Sequence, residues 1–173
     1  DGEGSGGQPS IFVRPTDGGQ AVRIGEGFGV ALSPDKKWVL ARREEGGRRV
    51  FVLLPTGAGQ PRPLAFDGLG VASGVFTPDS QRIVFDAAAP GQPSRLYVAD
   101  LAGGKPQAVG PAGLRLQQLT SPISPDGRRV VALREGKLVL LSLDGTGEPR
   151  DLPGLGAGLG RAVAAAPERA AVD

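Results

Sequence analysis

Phe76-Thr77-Pro78-Asp79, followed by Ile83-Val84-Phe85 and then by Leu96-Tyr97-Val98-Ala99-Asp100-Leu101 with Gly103-Gly104, is the stretch that decides the fold. Proline presets φ for the second position of a tight turn, and hydroxyl and carboxylate side chains on either side of it can serve the turn's backbone N–H groups. The flanking apolar runs are short, rich in β-branched and aromatic residues, and separated by turn residues, which is how strands read. The stretch therefore reads as strand, turn, strand, loop, strand, glycine turn, strand.

Working outward, the same pattern recurs on both sides. Leu32-Ser33-Pro34-Asp35 precedes Trp38-Val39-Leu40-Ala41, and Ile123-Ser124-Pro125-Asp126 precedes Val130-Val131-Ala132-Leu133. The prolines at 34, 78 and 125 lie 44 and 47 residues apart. The second half of the unit recurs in step, as Val50-Phe51-Val52-Leu53-Leu54 and Leu138-Val139-Leu140-Leu141-Ser142-Leu143, each running into a glycine turn. A lone second half stands at Ile11-Phe12-Val13-Arg14 with Asp17-Gly18-Gly19. The expected organisation is a linker over 1–9, a half-unit over 10–24, full units over 28–64, 70–109 and 115–152, and a divergent tail over 153–173. The tail, rich in alanine from Ala162 to Val172, reads either as one strand followed by disorder or as a short helix. No helical period shows before residue 160.

In the third unit Gly127 completes the turn, whereas Lys36 and Ser80 stand at that place in the first two. Those two turns are expected to carry strain or to use another turn type. The recurring set Ser33, Pro34, Asp35, Thr77, Pro78, Asp79, Ser124, Pro125, Asp126 and Gly127 is read as structural, with the carboxylates capping turns. Trp38, Phe51, Phe76, Phe85 and Tyr97 are read as packing residues within and between the repeating sheets.

Composition narrows the chemistry. The 173 residues contain no Cys, His or Met. Disulfides, Ser-His-Asp triads and Cys-His pairs are thereby excluded within the chain. A zinc site would need carboxylates alone, and each turn Asp stands apart from the clustered oxygens calcium requires, so no metal is expected. No phosphate loop or dinucleotide fingerprint occurs among the glycine clusters, so no cofactor is expected. Methionine is missing even as initiator, so the chain is expected to be an excised or processed piece. A net charge of +2 is too small to suggest nucleic-acid binding. No apolar run reaches the roughly 18 residues a membrane span needs. The pairs Arg42-Arg43 and Arg48-Arg49 flank Glu44-Glu45 and read as a solvated hairpin loop.

The turn and strand motifs together resemble the TolB-type β-propeller repeats of bacteria, relatives of the WD-repeat propellers. The family's pattern of apolar residue, Ser-Pro-Asp-Gly, apolar strand, Leu-Tyr-Val-x-Asp-Leu and Gly-Gly is matched best by the stretch from Phe76 to Gly104. Where the family usually places Trp before the turn, this chain has Leu32, Phe76 and Ile123. Ile11-Phe12-Val13-Arg14-Pro15-Thr16-Asp17-Gly18-Gly19 and Leu53-Leu54-Pro55-Thr56-Gly57 further resemble the propeller regions that follow bacterial serine/threonine kinase domains. The resemblance implies an all-β chain, a β-propeller segment of antiparallel four-stranded blades. About three full blades plus partial units are expected, forming an open arc or a fragment of a larger propeller.

The functional expectation is a non-catalytic module for protein or peptide interaction within a larger signalling protein. The alternatives are the propeller of a prolyl-oligopeptidase-like serine peptidase and a free-standing periplasmic TolB-like protein. Open blade edges imply self-association.

Overall fold

The computed structural model describes residues 9–116 and 122–152. The expectations for the first eight residues and for 153–173, ring closure by that tail included, lie outside the described residues. Fourteen strands follow one another, and among the described residues there is no helix.

The first pair, β1 (Ser10–Val13) and β2 (Val22–Glu26), forms a two-stranded sheet. Three four-stranded sheets follow, each a simple antiparallel meander in chain order. The first holds β3 (Phe28–Leu32), β4 (Trp38–Glu45), β5 (Arg48–Pro55) and β6 (Arg62–Leu64). The second holds β7 (Gly70–Phe76), β8 (Arg82–Ala88), β9 (Arg95–Asp100) and β10 (Gln107–Val109). The third holds β11 (Leu114–Leu116), β12 (Arg129–Arg134), β13 (Lys137–Ser142) and β14 (Arg150–Asp151).

Alternation along the strands explains why the sheets stack. In the first blade Val39 pairs with Leu54 and Ala41 with Val52, so these four share one face, while Leu40 pairs with Leu53 on the other. The first face packs with Ile11, Val13 and Ile24 of the two-stranded sheet. The second, with Phe51, packs with Ile83, Phe85, Ala87 and Ala99 of the second blade. The far face of the second blade, with Val84, Leu96 and Val98, packs with Val130, Ala132, Val139 and Leu141 of the third. Blades buried on both faces read as nearly continuous apolar runs, as β5 and β13 do. Each fully buried Leu, Val or Phe contributes about 1.5–3 kcal/mol of hydrophobic stabilisation.

No core cluster among the described residues joins the first sheet to the third, so the blades form an open arc. The two ends of the series differ in a telling way. Phe76 and Ile123, each just before its turn, are 7% and 5% exposed, but Leu32 at the matching place is 54% exposed. Phe76 and Ile123 insert against the preceding blade. Among the described residues the sheet preceding Leu32 has two strands, and they leave it uncovered. Phe12, Val22 and Phe28 are likewise exposed at this end. Self-association through it is an expected outcome, measured as a rise in light-scattering mass with concentration. Phe28→Ser with Leu32→Ser should suppress that rise, and a wild-type mass that stays monomeric at every concentration would contradict it.

Candidate functional site: the turn rim

The three Ser/Thr-Pro-Asp turns join the first and second strands of their blades and share one set of hydrogen bonds. The backbone N–H of Lys36, Ser80 and Gly127 donates to the carbonyl of Ser33, Thr77 and Ser124 at 2.8, 2.9 and 2.8 Å. The hydroxyl of Ser33, Thr77 or Ser124 donates to Oδ1 of Asp35, Asp79 or Asp126 at 2.6, 2.6 and 2.5 Å. The same carboxylate oxygen accepts from the N–H of Lys37, Gln81 or Arg128. Each hydroxyl in turn accepts from the first residue of the next strand, Trp38, Arg82 or Arg129. One hydroxyl and one carboxylate thus hold both ends of the turn, which is the reason for a Ser/Thr two residues before an Asp.

Lys36 and Ser80 adopt φ of +62° and +58°, close to the +69° of Gly127. All three turns therefore use the same left-handed position, and the first two adopt it with side chains that disfavour it. No second turn type is used. The turns also touch one another. The hydroxyl of Ser80 accepts from the N–H of Asp35 at 3.1 Å, and Gly127 lies beside the ring of Pro78. The result is a continuous rim at one end of the arc.

The rim carboxylates are held ionised. The Ser33 hydroxyl and the Lys37 N–H hold Asp35 below its ordinary value, and Thr77 with Gln81 does the same for Asp79. Ser124 with Arg128 lowers Asp126. At the β13–β14 turn of the third blade, which lies at the same end, the Thr146 hydroxyl and N–H bring Asp144 down to about 2. A carboxylate with a lowered folded value contributes stability above its unfolded value of 3.8, and that contribution is lost as pH falls through the folded value. The melting temperature is therefore expected to fall between pH 4 and pH 2, with Asp126→Asn flattening that fall. Asp79→Ala should lower unfolding free energy by about 0.5–2 kcal/mol, as loss of a comparable cap does, and Asp126→Ala should act in the same direction. Urea midpoints unchanged in both variants would show that the carboxylates do not hold the turns.

Phe51, Phe85 and Tyr97 meet in one aromatic group to which Phe66 also belongs. Phe85 stands edge-on to Phe51 at 5.8 Å and stacks on Phe66 and Tyr97 at 4.5 and 5.5 Å. Phe76 joins the same core, and Trp38 packs half-buried against it with the Arg62 guanidinium 5.8 Å above its ring. Trp38, Phe51, Phe76, Phe85 and Tyr97 all belong to the packing between the first two blades, and Trp38 also meets the rim through its N–H on the Ser33 hydroxyl.

Two polar features escape a reading of the sequence. Asp86, 4% exposed inside β8, accepts from both the N–H and the hydroxyl of Ser73 at 3.0 and 2.5 Å. Ser73 follows a register shift that leaves Ala72 out of the ladder, and the Ala72 carbonyl accepts from Arg42 Nη1 instead. Arg42 also lies over the Phe28 ring, and Arg43 Nε donates to the Glu26 carbonyl at 2.8 Å. The solvated-loop expectation fails for this first basic pair, because β4 continues through both residues and carries them against neighbouring sheets. Arg48 and Arg49 remain exposed.

The architecture defines a β-propeller arc. Neither a family model nor a curated protein sequence matches the chain. Its structural neighbours include TolB-like β-propeller proteins. TolB from Acinetobacter baumannii aligns over 76% of this chain at 25% identity with a TM-score of 0.60. A TolB-type protein from Agrobacterium tumefaciens aligns over 85% at 17% identity with a TM-score of 0.68. Hydrazine synthase of Kuenenia stuttgartiensis shares the fold over 78% at 18% identity and a TM-score of 0.53. The chain spans only 36%, 57% and 46% of those three chains.

Proposed function

We propose that the chain is a non-catalytic β-propeller module for protein interaction, serving as the sensing or regulatory part of a larger bacterial signalling protein of the serine/threonine kinase type. The observation that carries the first half is the blade array itself. Rigid meanders, pinned turn by turn, hold loops at both ends of the arc in fixed positions, the usual arrangement for recognition surfaces. The lack of His and Cys in the sequence supports a role without nucleophilic chemistry. The kinase context rests on the phrasing of the repeats at 11–19 and 53–57. A free-standing TolB-like role is the second reading, favoured by the likeness to the Acinetobacter protein.

Three experiments test these readings. The purified chain should turn over neither ATP, peptides nor esters, and activity that follows it through successive columns would overturn the non-catalytic reading. Cross-linking of the full-length protein in its own cells should capture a protein partner through this chain. The complete open reading frame then separates the contexts. A kinase domain upstream supports the first, a secretion leader without a kinase domain supports the second, and a downstream hydrolase domain would replace both with a peptidase gate.

A further inference from the structure

The end of the arc opposite the turn rim carries a feature that the blade scaffold does not need. Between the β4–β5 hairpin of the first blade and the ends of β7 and β8 in the second lies a cleft of about 400 Å³. That is within the range of natural ligand sites, toward its small end. Val71, Ala72, Ala88 and Pro90 form its apolar lining, and Val71 is only 2% exposed. Arg48 and Arg49 also line it.

The hairpin holds these arginines on a stiff support. Gly46 and Gly47 form its two-residue tip at φ of +57° and +74°, and the flanking pairs Glu45–Arg48 and Glu44–Arg49 stay in register. The neighbouring Arg42 and Arg43 are spent on the Ala72 and Glu26 carbonyls. The side chains of Arg48 and Arg49 have neither a hydrogen bond nor an ion pair among the described residues. With Glu44 on the same lining, two cations face one anion, so the cleft keeps a positive excess.

The geometry points to a docking site for an acidic peptide segment of a protein partner, with a small aliphatic side chain in the cleft and neighbouring carboxylates on Arg48 and Arg49. Charge complementarity selects the occupant: guanidinium forks match carboxylates, and an apolar floor beside them suits a side chain. A nucleic-acid strand would call for a longer track of cations and for aromatic stacking surfaces, and no aromatic residue lines this cleft. This inference rests on the protein-interaction reading above and gives it a location and a partner chemistry.

The test is fluorescence anisotropy with a short labelled peptide carrying one leucine between aspartates, measured on the full chain. Binding should weaken as salt rises, and Arg48→Glu with Arg49→Glu should lower affinity by about tenfold or more. Lys105→Glu with Lys137→Glu, an equal charge change elsewhere, should leave it unaltered. Should the first double variant misfold, amide shift mapping on the wild type takes its place, with perturbations expected at 44–49, 70–72 and 88–90. No peptide binding, equal losses in both double variants, shifts elsewhere, or tighter binding of a single-stranded oligonucleotide would each overturn the site. If a partner captured from cells still binds the Arg48→Glu, Arg49→Glu chain, the cleft assignment fails while the interaction reading stands. If no partner is captured but the peptide binds as described, the reverse holds.

Discussion

Phe85→Ala is expected to cost about 3–5 kcal/mol, the usual range for emptying a buried aromatic position. Phe85 is fully buried and is the one ring in contact with Phe51, Phe66 and Tyr97 alike. Phe51 comes from the first blade, Phe85 and Tyr97 from the second, and Phe66 from the segment connecting the two. Truncation removes the ring common to all three contacts and leaves a void between the first two blades. Domain stabilities of roughly 5–15 kcal/mol make such a loss a large share of the total. Urea unfolding followed by circular dichroism measures it. Phe12→Ala, at a ring 57% exposed, should stay within about 0.5 kcal/mol. Similar losses in the two variants would mean that the interface between the first two blades is not where the stability resides.

Gly27→Ala is expected to be the second severe lesion, about 3 kcal/mol or more, from backbone strain and a clash together. Gly27 joins β2 to β3 at φ of +117°, and its N–H donates to the Pro9 carbonyl at 2.7 Å. A Cβ there would stand 2.8 Å from the Arg42 carbonyl oxygen and 2.9 Å from Arg43 Cγ. The carbonyl belongs to a strand paired on both sides and has little room to move. The damage should be local at first: amides of β1 and β2 should lose exchange protection before those of the second and third blades. Uniform loss across all blades would show that the two-stranded sheet is not a separable unit, and unchanged protection would show that the junction tolerates a side chain.

The strand and turn pattern was legible because each element announces itself locally. Pro34, Pro78 and Pro125 fix the turns, and runs such as Ile83-Val84-Phe85 are too short and too β-branched for helix. What stayed hidden depends on neighbouring strands. Asp86 sits in an apolar run, and nothing in that run reveals that Ser73 will supply two donors across the ladder. The Ala72 bulge that frees a carbonyl for Arg42 has no marker of its own. Four arginines in one hairpin look alike in sequence. Only the placement of the adjoining sheets separates the pair that clamps backbone from the pair that faces the cleft. The exposure of Leu32 depends on which strands stand beside it, a property of the array rather than of the residue.

The hydroxyl of Ser80 that reaches the amide of Asp35 makes the repeats non-interchangeable. At the same turn position the first unit has a lysine and the third a glycine, and glycine cannot make that bond at all. Ser80→Gly would ease a left-handed residue yet cut the link to the preceding blade, whereas Lys36→Gly would ease the strain without that loss. A shuffled chain, with the third unit placed directly after the first, would seat Gly127 where the serine is required. The bond thus marks one blade neighbour from another, and two copies of the chain exchanging blades would keep it only by exchanging them like for like.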